Sequence, residues 1–270
     1  MSVSVAIVGC GQIGLPLGQR LVADGYRVRG STTRESRLPL LDAAGIDGQL
    51  VHLDTMASDA LDDFVRAEVV VITVPPNGQR EAPDAYLQQL ARCAESVARV
   101  GVQKVMFTSS TDVYPKTGDW VSESDAAVIA PRFSRTPLLT LERVLSEHAD
   151  FKTTVLRFAG IFGPDYQTAQ YVSGREFPGP DDPVNMVHQE DCVAVMQRLI
   201  ARDVWGETFN VVADEHPSRA AFFECVCDAA ALPHARFVEG ESEYRIVSNR
   251  HVKETLDYHF QYPDPLSAFD

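Results

Sequence analysis

Three glycines near the amino terminus, Gly9, Gly11 and Gly14, stand at the spacing G-x-G-x-x-G directly after the apolar run Val3–Val8. Each position has its own mechanical reason. The first glycine permits a tight turn, the second lets the backbone approach a pyrophosphate, and the third lets a helix pack closely on the preceding strand. Gln12 and Ile13 complete the turn, and the N–H groups of a helix starting there face an anion. The chemistry implied is the holding of a dinucleotide. A second set of reactive side chains, Ser109, Ser110, Thr111 and Tyr114, follows another apolar run. A hydroxyl at a strand end can hydrogen-bond a substrate oxygen, or it can satisfy nearby backbone groups. Tyr114 offers an acidic hydroxyl for proton exchange, although Val113-Tyr114 also reads as a packing pair, which has the stronger claim.

These residues can act together only on a scaffold that brings them to one rim. Strand patterns fall at Val3–Val8, Arg27–Ser31, Gln49–Leu53, Val69–Val74, Lys104–Ser109 and Thr153–Phe158. Helical patterns lie between them, near Leu15–Asp24, Arg34–Ala44, Ala60–Val65, Pro83–Val100 and Pro137–Ala149. Alternation of this kind, with continuous Val/Ile runs, predicts an α/β fold: a doubly wound parallel sheet covered on both faces, the Rossmann arrangement. Ligands bind such a sheet at the carboxyl ends of its strands. The glycine turn, Ser31–Arg34, Leu53-Asp54, Thr73–Pro76 and Ser109–Tyr114 all fall on that rim. Thr73, Val74 and Pro75 are expected beside the cofactor, because proline cannot extend a central strand.

After Phe158 the regular alternation stops. Gly160, Gly163-Pro164, Gly174, Pro178-Gly179-Pro180 and Pro183 mark a long irregular section. Helical patterns follow near Cys192–Ala201 and Arg219–Ala231, with a strand pattern at Thr208–Val212 between them. The expected organisation is a dinucleotide-binding Rossmann domain over residues 1–158 and a smaller C-terminal lobe, mainly substrate-binding, over residues 159–270. Thr208–Val212 is a candidate to return to the sheet.

The end of the second strand bears on the choice of cofactor. It reads Ser31-Thr32-Thr33-Arg34, with no acidic residue until Glu35. A preference for NAD usually places a carboxylate here, on the ribose 2′-hydroxyl. Small hydroxyls and a guanidinium instead suit a 2′-phosphate. NADP is therefore the preferred expectation and NAD the other possibility; the plain alternative is a turn with a solvated Arg34. Asp54 is placed either to accept from an adenine amino group or to serve as a turn residue.

A net charge of −14 argues against a nucleic-acid surface, which needs a basic stripe. No stretch approaches the ~20 apolar residues that span a bilayer. With no basic segment ahead of a hydrophobic run, the expected location is cytoplasmic. Five scattered cysteines, Cys10, Cys93, Cys192, Cys225 and Cys227, lack metal-site spacing, and no metal is expected.

The assembled landmarks resemble the short-chain dehydrogenase/reductase superfamily, in its extended branch of NAD(P)-dependent epimerases and dehydratases. The resemblance is carried by Val8 to Gly14, by Phe107 to Tyr114, by Leu156 to Pro164 and by Val184 to Asp191. Thr208-Phe209-Asn210-Val211 and Tyr262-Pro263-Asp264-Pro265 extend it towards the end of the chain. The details are similar to bacterial members labelled nucleoside-diphosphate-sugar epimerase. Such kinship implies a sugar-like or nucleotide-linked small-molecule substrate. It matches Ser110 to the catalytic serine and Ser109 to the cofactor rim. Thr111, Tyr166, Asn185 and His188 fall where substrate is bound, although a structural hydrogen bond has the stronger claim on His188, and Asp191 is expected to cap the helix near Cys192. Tyr171, Arg175 and Arg250 lie in the lobe that would cover the substrate, where arginines could meet a diphosphate or be solvated. Relatives commonly dimerise through the helices Pro83–Val100 and Pro137–Ala149, which makes a homodimer the expected assembly.

Two departures stand out. The extended branch usually spaces its glycines G-x-x-G-x-x-G. It also uses a Tyr followed four residues later by Lys, the lysine lowering the tyrosine pKa. Aligning on Glu142 puts Ser134 and Leu138 at those two positions, and no tyrosine in the chain has a lysine four residues on. Thr136-Pro137 reads as an N-cap followed by proline at the first helical position, which separates Ser134 from Leu138. The resemblance therefore implies an epimerase-like oxidoreductase with an altered proton relay. The alternative is an NADP(H)-binding sensor or regulatory protein without turnover.

Overall fold

The computed structural model describes residues 2–75, 85–128, 137–241 and 243–269. Two compact units share the chain. The first comprises Met1–Val113, Val128–Arg157 and Met196–Thr208; the second comprises Tyr114–Ala127, Phe158–Val195 and Phe209–Asp270.

The first unit begins with β1 (Ser4–Val8), α1 (Gly14–Ala23), β2 (Arg27–Thr32), α2 (Leu38–Ala43) and β3 (Asp47–Leu50). It continues with α3 (Ser58–Val65), β4 (Val69–Ile72), α4 (Ala85–Arg99), β5 (Lys104–Ser110), α5 (Leu138–Ser146) and β6 (Lys152–Phe158). With β7 (Thr208–Val211) these strands form one seven-stranded sheet in the order β7-β6-β5-β4-β1-β2-β3. Strand β1 pairs in parallel with both β2 and β4, so strand order reverses beside it. A crevice at such a reversal is where doubly wound sheets hold ligands. The sequence explains the centre of the sheet. Val69 to Ile72 are all apolar and all buried, as a strand covered on both faces requires. Ala6, Val8, Val70, Ile72, Leu90, Val97, Val105 and Leu141 belong to one buried cluster that ties the sheet to α4 and α5.

Several expected boundaries move. The third strand is Asp47–Leu50, not Gln49–Leu53, because pairing with β2 sets Arg29 opposite Asp47 and Thr32 opposite Leu50. The expected helix Arg34–Ala44 is split into a 3-10 turn, Glu35–Arg37, and α2, with Pro39 inside the first turn of α2. Helix α5 starts at Leu138 and Pro137 is its N-cap, one residue later than expected. Thr136, Ser134, Pro83 and Pro76 lie outside the described residues.

The second unit is built from short pieces, as its glycines and prolines demand. Gly160–Phe162 pairs in parallel with Met186–His188, setting Phe162 opposite His188. Trp120–Val121 pairs with Ile246–Val247, and Glu176–Phe177 with Arg236–Phe237. Helices Thr168–Val172 and Arg219–Ala229 enclose a core of Phe162, Ala169, Val172, Phe222, Val226 and Cys227. The helix expected near Cys192 begins earlier and spans Gln189–Arg202. That shift moves Asp191 from a cap into the first turn.

Candidate functional site

The three glycines behave differently. Gly9 adopts φ +102°, a backbone conformation that L side chains rarely adopt. A Cβ at Gly14 would lie 2.3 Å from the Gly9 carbonyl oxygen, so only glycine allows α1 to approach the turn. A Cβ at Gly11 would meet nothing within 4 Å. The protein thus closes in on the first and third glycines and leaves space at the second, where a pyrophosphate would lie. Gly11 and Gln12 are exposed, while Ile13 is the N-cap of α1 and is buried. The turn is held from two sides. The Gly9 N–H donates to Ser31 Oγ at 2.7 Å and the Cys10 N–H to the Ser31 carbonyl at 2.8 Å. The Thr73 hydroxyl donates to the Gly9 carbonyl at 2.5 Å, and Val74 packs beside Gly9. These residues fit a dinucleotide: the turn is held by hydrogen bonds from Ser31 and Thr73, and among the described residues no atom lies within 4 Å of a Cβ placed at Gly11.

This geometry corrects part of the expected contact set. Ser31 is 3% exposed and Thr32 is 8% exposed. Ser31 Oγ supports the turn, and Thr32 Oγ1 accepts the Arg34 N–H at 3.2 Å, so neither hydroxyl is presented to a 2′-phosphate. Thr33 and Arg34 are exposed. Thr73 and Val74 likewise shape the turn, while Pro75 is exposed. Asp54 is exposed in the turn beyond Leu53, four residues past the end of β3. A residue missed in the sequence is Arg37. Its Nη2 donates to the Cys10 carbonyl at 3.3 Å, which lays the guanidinium against the glycine turn, and its Nε is buried with no partner among the described residues. Its signal was its place three residues after Arg34, on a turn that brings it back to Cys10.

At the end of β5 the two serines part ways. Ser109 donates its hydroxyl to Glu142 at 2.6 Å, and Glu142 also pairs with Arg157 at 2.8 Å. Both charged side chains are deeply buried, Glu142 at 3% and Arg157 at 5% exposed. Ser109 is therefore committed to a buried ion pair rather than to a cofactor. Ser110 is half-buried, and its Oγ accepts the Asp112 N–H at 3.1 Å, which leaves its hydroxyl proton available to a substrate oxygen. Thr111 is 5% exposed, so its expected contact with substrate has no surface to use. Leu138, which the sequence resemblance sets at the expected lysine position, packs against the core of the first unit.

Within the second unit, Tyr114 has no exposed surface and its hydroxyl donates to Asn210 at 2.5 Å. This is a core position, and it corrects the expectation of proton exchange there. Asn185 is also structural. Its Nδ2 donates to the Arg245 carbonyl at 2.9 Å and its Oδ1 accepts the Val247 N–H at 2.8 Å, which uses both ends of the amide. The buried Asp191 is no cap; its carboxylate accepts from the Tyr258 hydroxyl at 2.6 Å and from the Gln261 and Tyr262 N–H groups, anchoring the C-terminal segment. His188 and Tyr166 do come together, on the wall of a cavity of about 420 Å³ that Phe162, Gly163 and Phe269 also line. The His188 ring packs on Tyr262 with centroids 3.8 Å apart, and burial holds its pKa below the usual histidine value.

Comparison with known proteins agrees with this architecture. A model of the NAD dependent epimerase/dehydratase family matches residues 5–176. Protein YeeZ of Escherichia coli (strain K12) is 30% identical over 274 residues, with 97% of each chain covered. A functionally unknown conserved protein from Silicibacter pomeroyi DSS has a TM-score of 0.78 at 22% identity, covering 99% of this chain and 98% of that one. The UDP-glucuronic acid 4-epimerase from Bacillus cereus, in complex with NAD, gives 0.77 at 16% identity, with 98% and 96% covered. MoeE5, in complex with UDP-glucuronic acid and NAD, gives 0.76 at 19% identity, with the same shares covered. These structures share the fold, and the family match bears out the resemblance to the extended short-chain dehydrogenase/reductase branch.

Proposed function

Because this chain belongs to the NAD dependent epimerase/dehydratase family, we propose that it is an NAD(P)-dependent enzyme of oxidoreductase or epimerase type, acting on a sugar-like or nucleotide-linked sugar substrate. The observation that carries this reading is the glycine turn, closed at Gly9 and Gly14 and open at Gly11. The NAD found with the epimerase from Bacillus cereus and with MoeE5 supports the same cofactor class here. NADP is preferred, because the exposed Arg34 and the neighbouring Arg37 offer guanidinium groups where an NAD enzyme carries an acid.

When bound, the nicotinamide supplies a hydride donor or acceptor. Ser110 has the task of donating a hydrogen bond to the reacting oxygen of the substrate. No Tyr–Lys pair assists it, since no tyrosine has a lysine four residues on. The test is turnover of a carbonyl and nucleotide-sugar panel, followed by the absorbance of reduced nicotinamide. Ser110→Ala should abolish turnover and leave NADPH binding intact; a variant as active as the parent would contradict the assignment. A second reading, an NADP(H)-binding regulatory protein without turnover, is favoured by the burial of the Tyr114 hydroxyl against Asn210. NADPH binding with no turnover across the panel would support it.

A further inference from the structure

The cavity of the second unit has a volume of about 420 Å³, within the ~300–1,000 Å³ typical of small-molecule sites. Phe162, Val226, Ala229 and Phe269 give it an apolar wall. Tyr166, Thr168, Gln170 and His188 interrupt that wall with polar side chains. His188 Nδ1 accepts the Glu190 N–H at 3.2 Å, so the neutral ring carries its proton on Nε2. Nε2 lies against Gly163, where an added Cβ would come within 3.2 Å of it. Among the described residues, neither His188 Nε2 nor the Tyr166 hydroxyl has a hydrogen-bond partner. Burial lowers the His188 pKa and raises that of Tyr166, which leaves both as neutral donors near neutral pH.

Charge then restricts the ligand. The described residues that line the cavity include no lysine, arginine, aspartate or glutamate. None of the arginines of this unit, Arg175, Arg219, Arg236, Arg245 and Arg250, lines the cavity. Arg175 lies over the Tyr171 ring at 4.3 Å, Arg219 pairs with Asp182 at 3.3 Å, and Arg250 pairs with Glu254 at 2.6 Å. A diphosphate in this cavity would lose hydration and gain no countercharge, a strongly unfavourable exchange. An uncharged molecule avoids that cost, with its apolar face on Phe162 and Phe269 and an oxygen accepting from Nε2–H and the Tyr166 hydroxyl.

We infer that this cavity binds an uncharged small molecule, an apolar body bearing a carbonyl or hydroxyl oxygen, and not a nucleoside diphosphate sugar. The assignment rests on the cavity alone and not on the substrate class of the reading above.

The test is a titration of the full chain with acetophenone and, separately, with UDP-glucose, while the ring C–H signals of His188 are followed by NMR. Those signals are identified by their loss in His188→Gln. Acetophenone should shift them saturably, and UDP-glucose should leave them in place. Ala229→Phe fills the cavity from an exposed position and should weaken acetophenone binding about tenfold or more. Tyr166→Phe removes one donor and should weaken it less. Movement of the His188 signals by UDP-glucose, no movement with acetophenone, or undiminished acetophenone binding by Ala229→Phe would each overturn the inference. NADPH binding is measured on the same sample. If acetophenone binds and NADPH does not, the enzymatic reading fails and the cavity assignment stands; the reverse result sinks the cavity alone.

Discussion

Glu142, Arg157 and Ser109 show what a single buried charge demands of its neighbours. A carboxylate this deep is tolerated because a guanidinium and a hydroxyl both donate to it. Removing one member of such a pair leaves the other uncompensated. Arg157→Leu should therefore lower the unfolding free energy by about 3–5 kcal/mol, read from urea unfolding; a change below about 1 kcal/mol would show that the pair is not held as described. The same scale marks the limit of reading the sequence. Small hydroxyls at a sheet rim were visible as a group, but a hydroxyl serves a ligand or the backbone equally well. Ser31, Thr32 and Ser110 each accept a backbone N–H and Thr73 donates to a carbonyl, but Ser31 and Thr32 are buried whereas Ser110 is half-buried. Tyr114 sits in the core because Asn210 comes from a distant segment to meet it, a partner that no local pattern reveals.

Elements were legible where burial leaves a continuous apolar run, as in β1 and β4, and where glycine spacing has a mechanical cause. Strand β3 was misplaced because Asp47-Gly48-Gln49-Leu50 has no apolar run, and pairing with β2 alone sets its register. The contact of α3 with α4 was equally hidden. Asp62 accepts from Arg99 at 2.8 Å and from Ser96, and these bonds hold its carboxyl below the usual value of 3.8. A folded-state pKa below the unfolded one stabilises the protein at neutral pH, and that contribution disappears as pH falls through the folded value. Asp62→Asn should thus be less stable than the parent at pH 7, with the two converging in acid below the ordinary carboxylate range. Stability curves that stay parallel well below that range would contradict the latch.

At the scale of the whole molecule, a net charge of −14 repels an anionic cofactor, so binding must come from locally placed donors. On the proposed reading, backbone amides at the glycine turn would serve NAD and NADP alike, whereas Arg34 and Arg37 would serve the extra phosphate. Exposed charge pairs weaken with salt. Raising the potassium chloride concentration should therefore weaken NADPH binding more than NADH binding, and equal losses would remove the arginines from the account. The doubly wound parallel sheet followed from the alternation of strands and helices, while its strand order is read from the pairing. The apolar cavity of the second unit did not, because Phe162, His188, Ala229 and Phe269 come from four separated segments.

Isothermal titration of NADPH into the parent chain and into Gly11→Ala tests the glycine turn most directly. Saturable binding by the parent should fall about tenfold or more in the variant, with an unchanged melting temperature, since the added methyl meets no protein atom within 4 Å. No heat of binding to the parent, or equal affinity in the two proteins, would contradict the dinucleotide crevice.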